Sequence, residues 1–177
     1  MTTPVSYDAI FADLLIEEPL GEPVAPPPAL RDAVLASIGG GLARGLTARV
    51  ATFFDLSASR VDEILGQIAR ASADPWVDYF VPGVRLLHFD GGLRHAGADC
   101  GLVFVGAGRR FPLHRHVGDE WVFVLSGAAE EEGTGERWEP GDILYRAENT
   151  AHAFRVLGDE PFVFGVVIRG LEYPEEG

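Results

Sequence analysis

From Trp76 onward the chain is a succession of short apolar runs separated by Gly, Pro and charged residues: VRLLHF, CGLVFVGA, WVFVLSG, DILYRA, HAFRVL and FVFGVVI. Runs of this length, rich in Val, Ile and aromatic residues and closed by turn formers, are strands rather than helices. Many short strands at such spacing pack as an antiparallel sandwich or barrel, so residues 76–177 are expected to be mainly β. With 177 residues and 47% hydrophobic content, the chain can build one domain of ordinary size around a substantial core.

The part before Trp76 has a helical period instead. In residues 29–75 three apolar stripes recur: Leu30, Val34, Leu35 and Ile38, stopped by Gly39-Gly40-Gly41; then Leu42, Leu46, Val50, Phe53 and Phe54; then Val61, Ile64, Leu65 and Ile68. Ser57 is placed to cap the third helix, and Leu56 and Val61 occupy the two positions of a hydrophobic staple. Residues 1–28 read as a short amphipathic helix over 7–18, with Ile10, Phe11, Leu14 and Leu15 on one face, tethered by a stiff linker containing Pro23, Pro26, Pro27 and Pro28.

Charge narrows the function. With 14 basic and 27 acidic residues the net charge is -13, which disfavours phosphate backbones and anionic lipid surfaces. The helical stretch also lacks the basic recognition face that a DNA-binding module needs. Nucleic acid and membrane are therefore not expected partners. The single cysteine, Cys100, rules out an intramolecular disulfide framework and reads as a buried strand residue in a reducing compartment. No apolar run has transmembrane length and the first residues lack a basic leader, so a cytoplasmic location is expected.

The chemistry lies in two blocks. In GRRFPLHRHVGDEWVFVLSG, His114 and His116 stand two apart, so an extended strand projects both imidazoles from one face and Arg115 from the other. Glu120 follows the short break Val117-Gly118-Asp119 and heads an apolar strand, within reach of the same ion. In WEPGDILYRAENTAHAFRV, Pro140-Gly141-Asp142 is a tight turn and His152 follows Asp142 by ten residues. Three imidazoles and one carboxylate suit one divalent transition-metal ion, zinc first, with Fe, Mn, Ni and Cu also compatible. Gly108, Gly127 and Gly141 are expected to supply turns with positive φ.

These blocks resemble the two sequence motifs of the cupin superfamily. The first, G-x5-H-x-H-x3-E-x6-G, is matched at Gly108, His114, His116, Glu120 and Gly127. The second, G-x5-P-x-G-x2-H-x3-N, is matched at Gly141 and His152, while Ala147, Asn149 and Val156 depart from it. The resemblance covers roughly residues 84–170. It implies a small jelly-roll β-barrel preceded by an α-helical segment, an ion held inside by His114, His116, Glu120 and His152, and a homodimer paired through a strand edge.

Two roles follow from it. The motif spacing and preceding helices are similar to ChrR-type anti-sigma factors, whose helical domain binds a sigma factor and whose cupin domain senses stress. That family's N-terminal zinc motif of one His and two Cys has no counterpart here, since the first His is His88 and the one Cys is Cys100. The alternative is a metal-dependent enzyme, such as a dioxygenase or isomerase, with a small-molecule ligand completing the coordination of the ion. Outside the motifs, His88 reads as a strand residue, His95 as a loop residue, and Glu130-Glu131-Glu132 as a solvated hairpin tip before Gly133-Thr134-Gly135. Phe111, Trp121, Phe123, Tyr145 and Phe154 are candidates for core or pocket wall, and Arg109 and Arg146 for contact with an anionic ligand.

Overall fold

A computed structural model describes residues 42–70 and 75–174. The predicted helix over 7–18, the proline linker and the Leu30 to Ile38 stripe lie outside the described residues. Among the described residues two helices, α1 (Leu42–Phe54) and α2 (Ala58–Arg70), precede eleven strands. The strands are β1 (Val77–Asp78), β2 (Val84–His88), β3 (Asp99–Val105), β4 (Arg110–His116), β5 (Glu120–Ser126), β6 (Ala128–Glu131), β7 (Arg137–Trp138), β8 (Ile143–Arg146), β9 (Ala151–Leu157), β10 (Phe162–Ile168) and β11 (Leu171–Glu172). They form a six-stranded sheet in the order β1-β2-β3-β10-β5-β8 and a five-stranded sheet in the order β11-β4-β9-β6-β7. Every pairing is antiparallel. The mainly β expectation holds, with the two sheets facing each other across a core of Val103, Val105 and Phe164 from one and Phe111, Trp138 and Phe154 from the other.

The six-stranded sheet is buried on both faces over its centre. β10 lies between β3 and β5 and reads FVFGVVI without a polar residue, because Phe162, Phe164, Val166 and Ile168 enter the inter-sheet core while Val163 and Val167 meet the helices. In β5 the alternation sends Val122 and Val124 inward and Phe123 outward, under α1. Phe54 of α1 is fully buried, and its ring lies over Gly165, where an added Cβ would come within 2.8 Å of it. The helices are thus held by the barrel's outer face.

Helix α2 begins as its sequence predicts: the Ser57 hydroxyl accepts the Arg60 N–H at 3.2 Å, and Val61, Ile64 and Ile68 are buried on one face. Gly108, Gly127 and Gly141 all have positive φ, of 65°, 72° and 101°. At Gly127 the need is absolute, since a Cβ would also stand 2.2 Å from the Pro161 carbonyl oxygen.

Because Phe54 joins helix to sheet, Phe54→Ala is expected to lower unfolding free energy by about 3–5 kcal/mol. Chemical denaturation followed by both far-UV circular dichroism and tryptophan fluorescence checks this. One shared, shifted transition is the expected result; loss of helix signal with the barrel transition unmoved would contradict it.

Candidate metal centre

Strand β4 begins the site. A register irregularity between Phe111 and His114 lets both face inward although they stand three apart, and Pro112, which has no N–H for the ladder, sits within it. Beyond it the alternation is regular: His114 and His116 are buried, Leu113 and Arg115 exposed. His152 of β9 lies directly opposite His114 in the register, and Glu120 is the first residue of β5. The four predicted residues come together: one potential ligand atom from each of His114, His116, Glu120 and His152 lies within 4.8 Å of the others.

The imidazoles are held in one tautomer. Nδ1–H of His114 donates to the Pro112 carbonyl at 2.9 Å. Nδ1–H of His116 donates at 2.9 Å to the Thr150 hydroxyl oxygen, whose own proton goes to the Ala147 carbonyl. Nδ1–H of His152 donates to Glu131 Oε1 at 2.9 Å. With each Nδ1 protonated, each Nε2 carries a free lone pair, which is the state a metal ligand requires. His116 Nε2 is buried without a hydrogen-bond partner, although Glu120 Oε2 is only 3.1 Å away. A cation between these groups would resolve that arrangement, so the donor set fits a divalent ion.

Burial shapes the titration of these groups. His114 is pushed down to about 4, chiefly by burial, with His152 and His116 adding to the shift and Glu120 opposing it. Burial likewise lowers His152. At Glu120 burial favours the neutral acid, yet His116 and the other two imidazoles outweigh it and hold the carboxyl below its usual range.

Glu131 changes the sequence reading most. The Glu130 to Glu132 run is not a solvated tip: residues 128–131 form β6, and Glu131 faces inward, 8% exposed. Its carboxylate accepts from His152 and Thr134 and lies 3.2 Å from Arg146 Nη2; these contacts overcome burial and hold it ionised. Glu130 and Glu132 point outward and pair with Arg155 and Arg110. Thr150 carries no such signal in the sequence either, since its partner is 34 residues away in the chain. In the second motif, Asn149 takes the inner glycine position with φ 65°, a conformation Asn tolerates, so the turn into β9 is kept.

His114, Glu120 and His152 form part of the wall of a cavity of about 30 Å³, room for roughly two or three waters. Phe111, Phe154, Trp138, Tyr79 and Arg146 line it as well. Of the aromatic candidates, Phe123 packs beneath α1, and Trp121 and Tyr145 meet with ring centres 4.7 Å apart and planes tilted by 40° on the exposed outer side. Arg109 is not among the lining residues and lies beside Gly83. His88 ends β2, while His95 closes a single 3-10 turn, its ring against the Phe53 carbonyl. Cys100 is buried in β3 and burial raises its thiol to about 11, leaving no thiolate nucleophile.

Comparison with known proteins agrees with this geometry. A family model described as cupin domain matches residues 101–168. The two sheets make a cupin fold, and the family match is confined to those residues. A dimethylsulfoniopropionate lyase, DddQ, of Ruegeria pomeroyi is 36% identical over 84 residues, 42% of this chain. The match spans about 41% of that relative's length. Among solved structures, an RmlC-like cupin protein of Ralstonia eutropha JMP134 shares the fold with a TM-score of 0.51 at 20% identity, covering 58% of this chain and 68% of that one. Among the described residues no helix is long and apolar enough to cross a membrane.

The buried imidazoles set an acid limit on the ion-free protein. Because His114 titrates near 4 when folded and near 6.5 when unfolded, the unfolded chain binds more protons between those values. Stability is therefore fully present above about pH 6.5 and declines as pH falls toward about 4. Thermal melts of chelator-treated protein across that window should show a falling melting temperature, and a flat profile would contradict the assignment.

Proposed function

We propose that this cupin is a metal-dependent enzyme acting on a small molecule, with lyase chemistry as its reaction class. One divalent transition-metal ion would be held by His114, His116, Glu120 and His152. The observation that carries the reading is the set of three Nδ1 hydrogen bonds, which leaves three Nε2 lone pairs beside one carboxylate. When bound, the ion would supply Lewis acidity to a substrate oxygen. Four protein donors on a six-coordinate ion leave positions for that oxygen, whereas four-coordinate zinc leaves none.

The chain's own residues supply the rest. Glu131 fixes the ring plane of His152 and Thr150 that of His116, so the donors are placed before the ion arrives. Phe111, Phe154 and Trp138 make the cavity largely apolar and restrict water beside the reacting group. The likeness to a lyase over 84 residues supports elimination in preference to the dioxygenase or isomerase chemistry that other cupins perform.

A ChrR-like regulatory role, with zinc and a sigma factor as partner, rests on the sequence resemblance alone. The apolar faces of α1 and α2 are spent on the barrel, with Val50, Phe54, Val61, Ile64 and Ile68 buried there, and so are not free for a partner. A homodimer accompanies the enzymatic reading. Its support is the edge strand β8, on which Ile143 and Tyr145 are exposed, with Trp121 of β5 exposed beside them. Light scattering at micromolar concentration should give twice the chain mass of 19.1 kDa, and a monomer would contradict it.

The experiment that tests the function pairs metal analysis with turnover. Protein purified without added metal should carry one transition-metal ion per chain by mass spectrometry, and His116→Ala should lose it. Glu131→Gln should keep the fold and bind the ion about 10–100-fold more weakly. Dimethylsulfoniopropionate and other small carboxylates, followed by proton NMR, should include one that is consumed by the loaded protein and spared after chelation. Unchanged metal content in His116→Ala would overturn the ligand set; turnover indifferent to chelation would overturn the metal-dependent mechanism.

A further inference from the structure

Two N–H groups in the cavity residues have nothing to donate to. Arg146 and Trp138 both line the cavity, and the Arg146 Nε and Trp138 Nε1 atoms are each buried without a hydrogen-bond partner. The remaining guanidinium nitrogens are engaged. Nη2 meets Glu136 at 3.0 Å and Glu131 at 3.2 Å, and Nη1 donates to the Tyr145 carbonyl at 3.3 Å. These contacts fix the guanidinium 5.3 Å from the Trp138 ring centre, and the same indole ring lies 5.7 Å from the His152 ring. Arg146 also stands opposite Glu120 in the pairing of β8 with β5. The two unsatisfied donors therefore belong to side chains next to two of the candidate metal ligands.

Buried donors in native proteins nearly always find an acceptor, in the chain, in ordered water or in a ligand, so a pair without one in a cavity wall is a place where ligand oxygens can bind. The ligand group must accept, and an ionised oxygen accepts most strongly from a guanidinium. A hydroxyl or a primary amide would bring hydrogens of its own, whereas an ionised carboxylate is acceptor-only and offers two oxygens. The apolar remainder of the wall, with Phe111 and Phe154, sets the rest of the molecule as small and largely nonpolar near that end.

We infer that Arg146 and Trp138 form the receptor for the carboxylate of a small anionic substrate, determining specificity beside the metal centre. The inference rests on the metal-dependent reading above, because the ion offsets the negative charge of Glu120 and Glu131 around an incoming anion. Capture relies on the site itself, since a chain of net charge -13 does not steer anions from a distance.

The test uses full-length protein loaded with one equivalent of zinc and checked for metal content by mass spectrometry. Propionate and its uncharged counterpart propionamide are titrated calorimetrically into wild type, Arg146→Lys and Trp138→Phe. Arg146→Lys keeps a cation beside Glu131 but removes Nε–H; Trp138→Phe keeps an aromatic ring but removes the indole N–H. Wild type should prefer propionate, and each variant should weaken propionate about tenfold while leaving propionamide within about twofold. If Arg146→Lys fails to fold by near-UV circular dichroism, Trp138→Phe decides alone. Unchanged propionate affinity in the folded variants, or no propionate preference in the loaded wild type, overturns the receptor. Failure of wild type to hold zinc, manganese or nickel alike is read separately and overturns the metal reading on which this one stands.

Discussion

The site depends on one strand pairing. His114 on β4 faces His152 on β9 directly across the ladder, and an alternating strand can place His114, His116 and Phe111 on the same inner face only because the register shifts at Pro112. Sliding either strand by one residue would turn its imidazole outward and send an exposed neighbour, such as Arg115 or Ala151, into the core. The apolar face of β9, with Phe154 stacked at 5.1 Å on Phe111, opposes that slip. Packing of the core therefore sets the geometry of the polar cluster.

Around that pairing the hydrogen bonds run outward in sequence distance. Pro112 is two residues from the ring it orients, Thr150 is 34 away and Glu131 is 21 away. Glu131 is itself held by Thr134 and Arg146, and Arg146 lies over Trp138. The polar groups are thereby tied together through β4, β6, β8 and β9 rather than through one loop. Such a network is disposed to hold its donors in place without an ion, which limits the reorganisation that binding would require.

Much of this was legible in the chain. Six apolar runs mark β2, β3, β5, β8, β9 and β10, and the two-residue spacing of His114 and His116 predicts their common face. Ser57 marks the start of α2 by local chemistry alone. What escaped reading depended on distant partners. Glu131 looks like a surface residue among three glutamates, and only the fold brings His152, Thr134 and Arg146 to it. Trp121 and Tyr145 have the composition of a pocket wall, but strand alternation turns them outward, opposite to Glu120 and Arg146. The departure at Asn149 is met locally, since Asn149 adopts the backbone conformation that a glycine would otherwise supply.

The central claim is that the four side chains form one coordination centre. X-ray absorption spectroscopy at the edge of the metal retained on purification tests it most directly. The account predicts a shell of imidazole nitrogens and carboxylate or solvent oxygens at about 2.0–2.2 Å, with the multiple-scattering signature of three imidazoles reduced to two in His152→Ala. A shell without imidazole scattering, or one unaltered by that substitution, would contradict it.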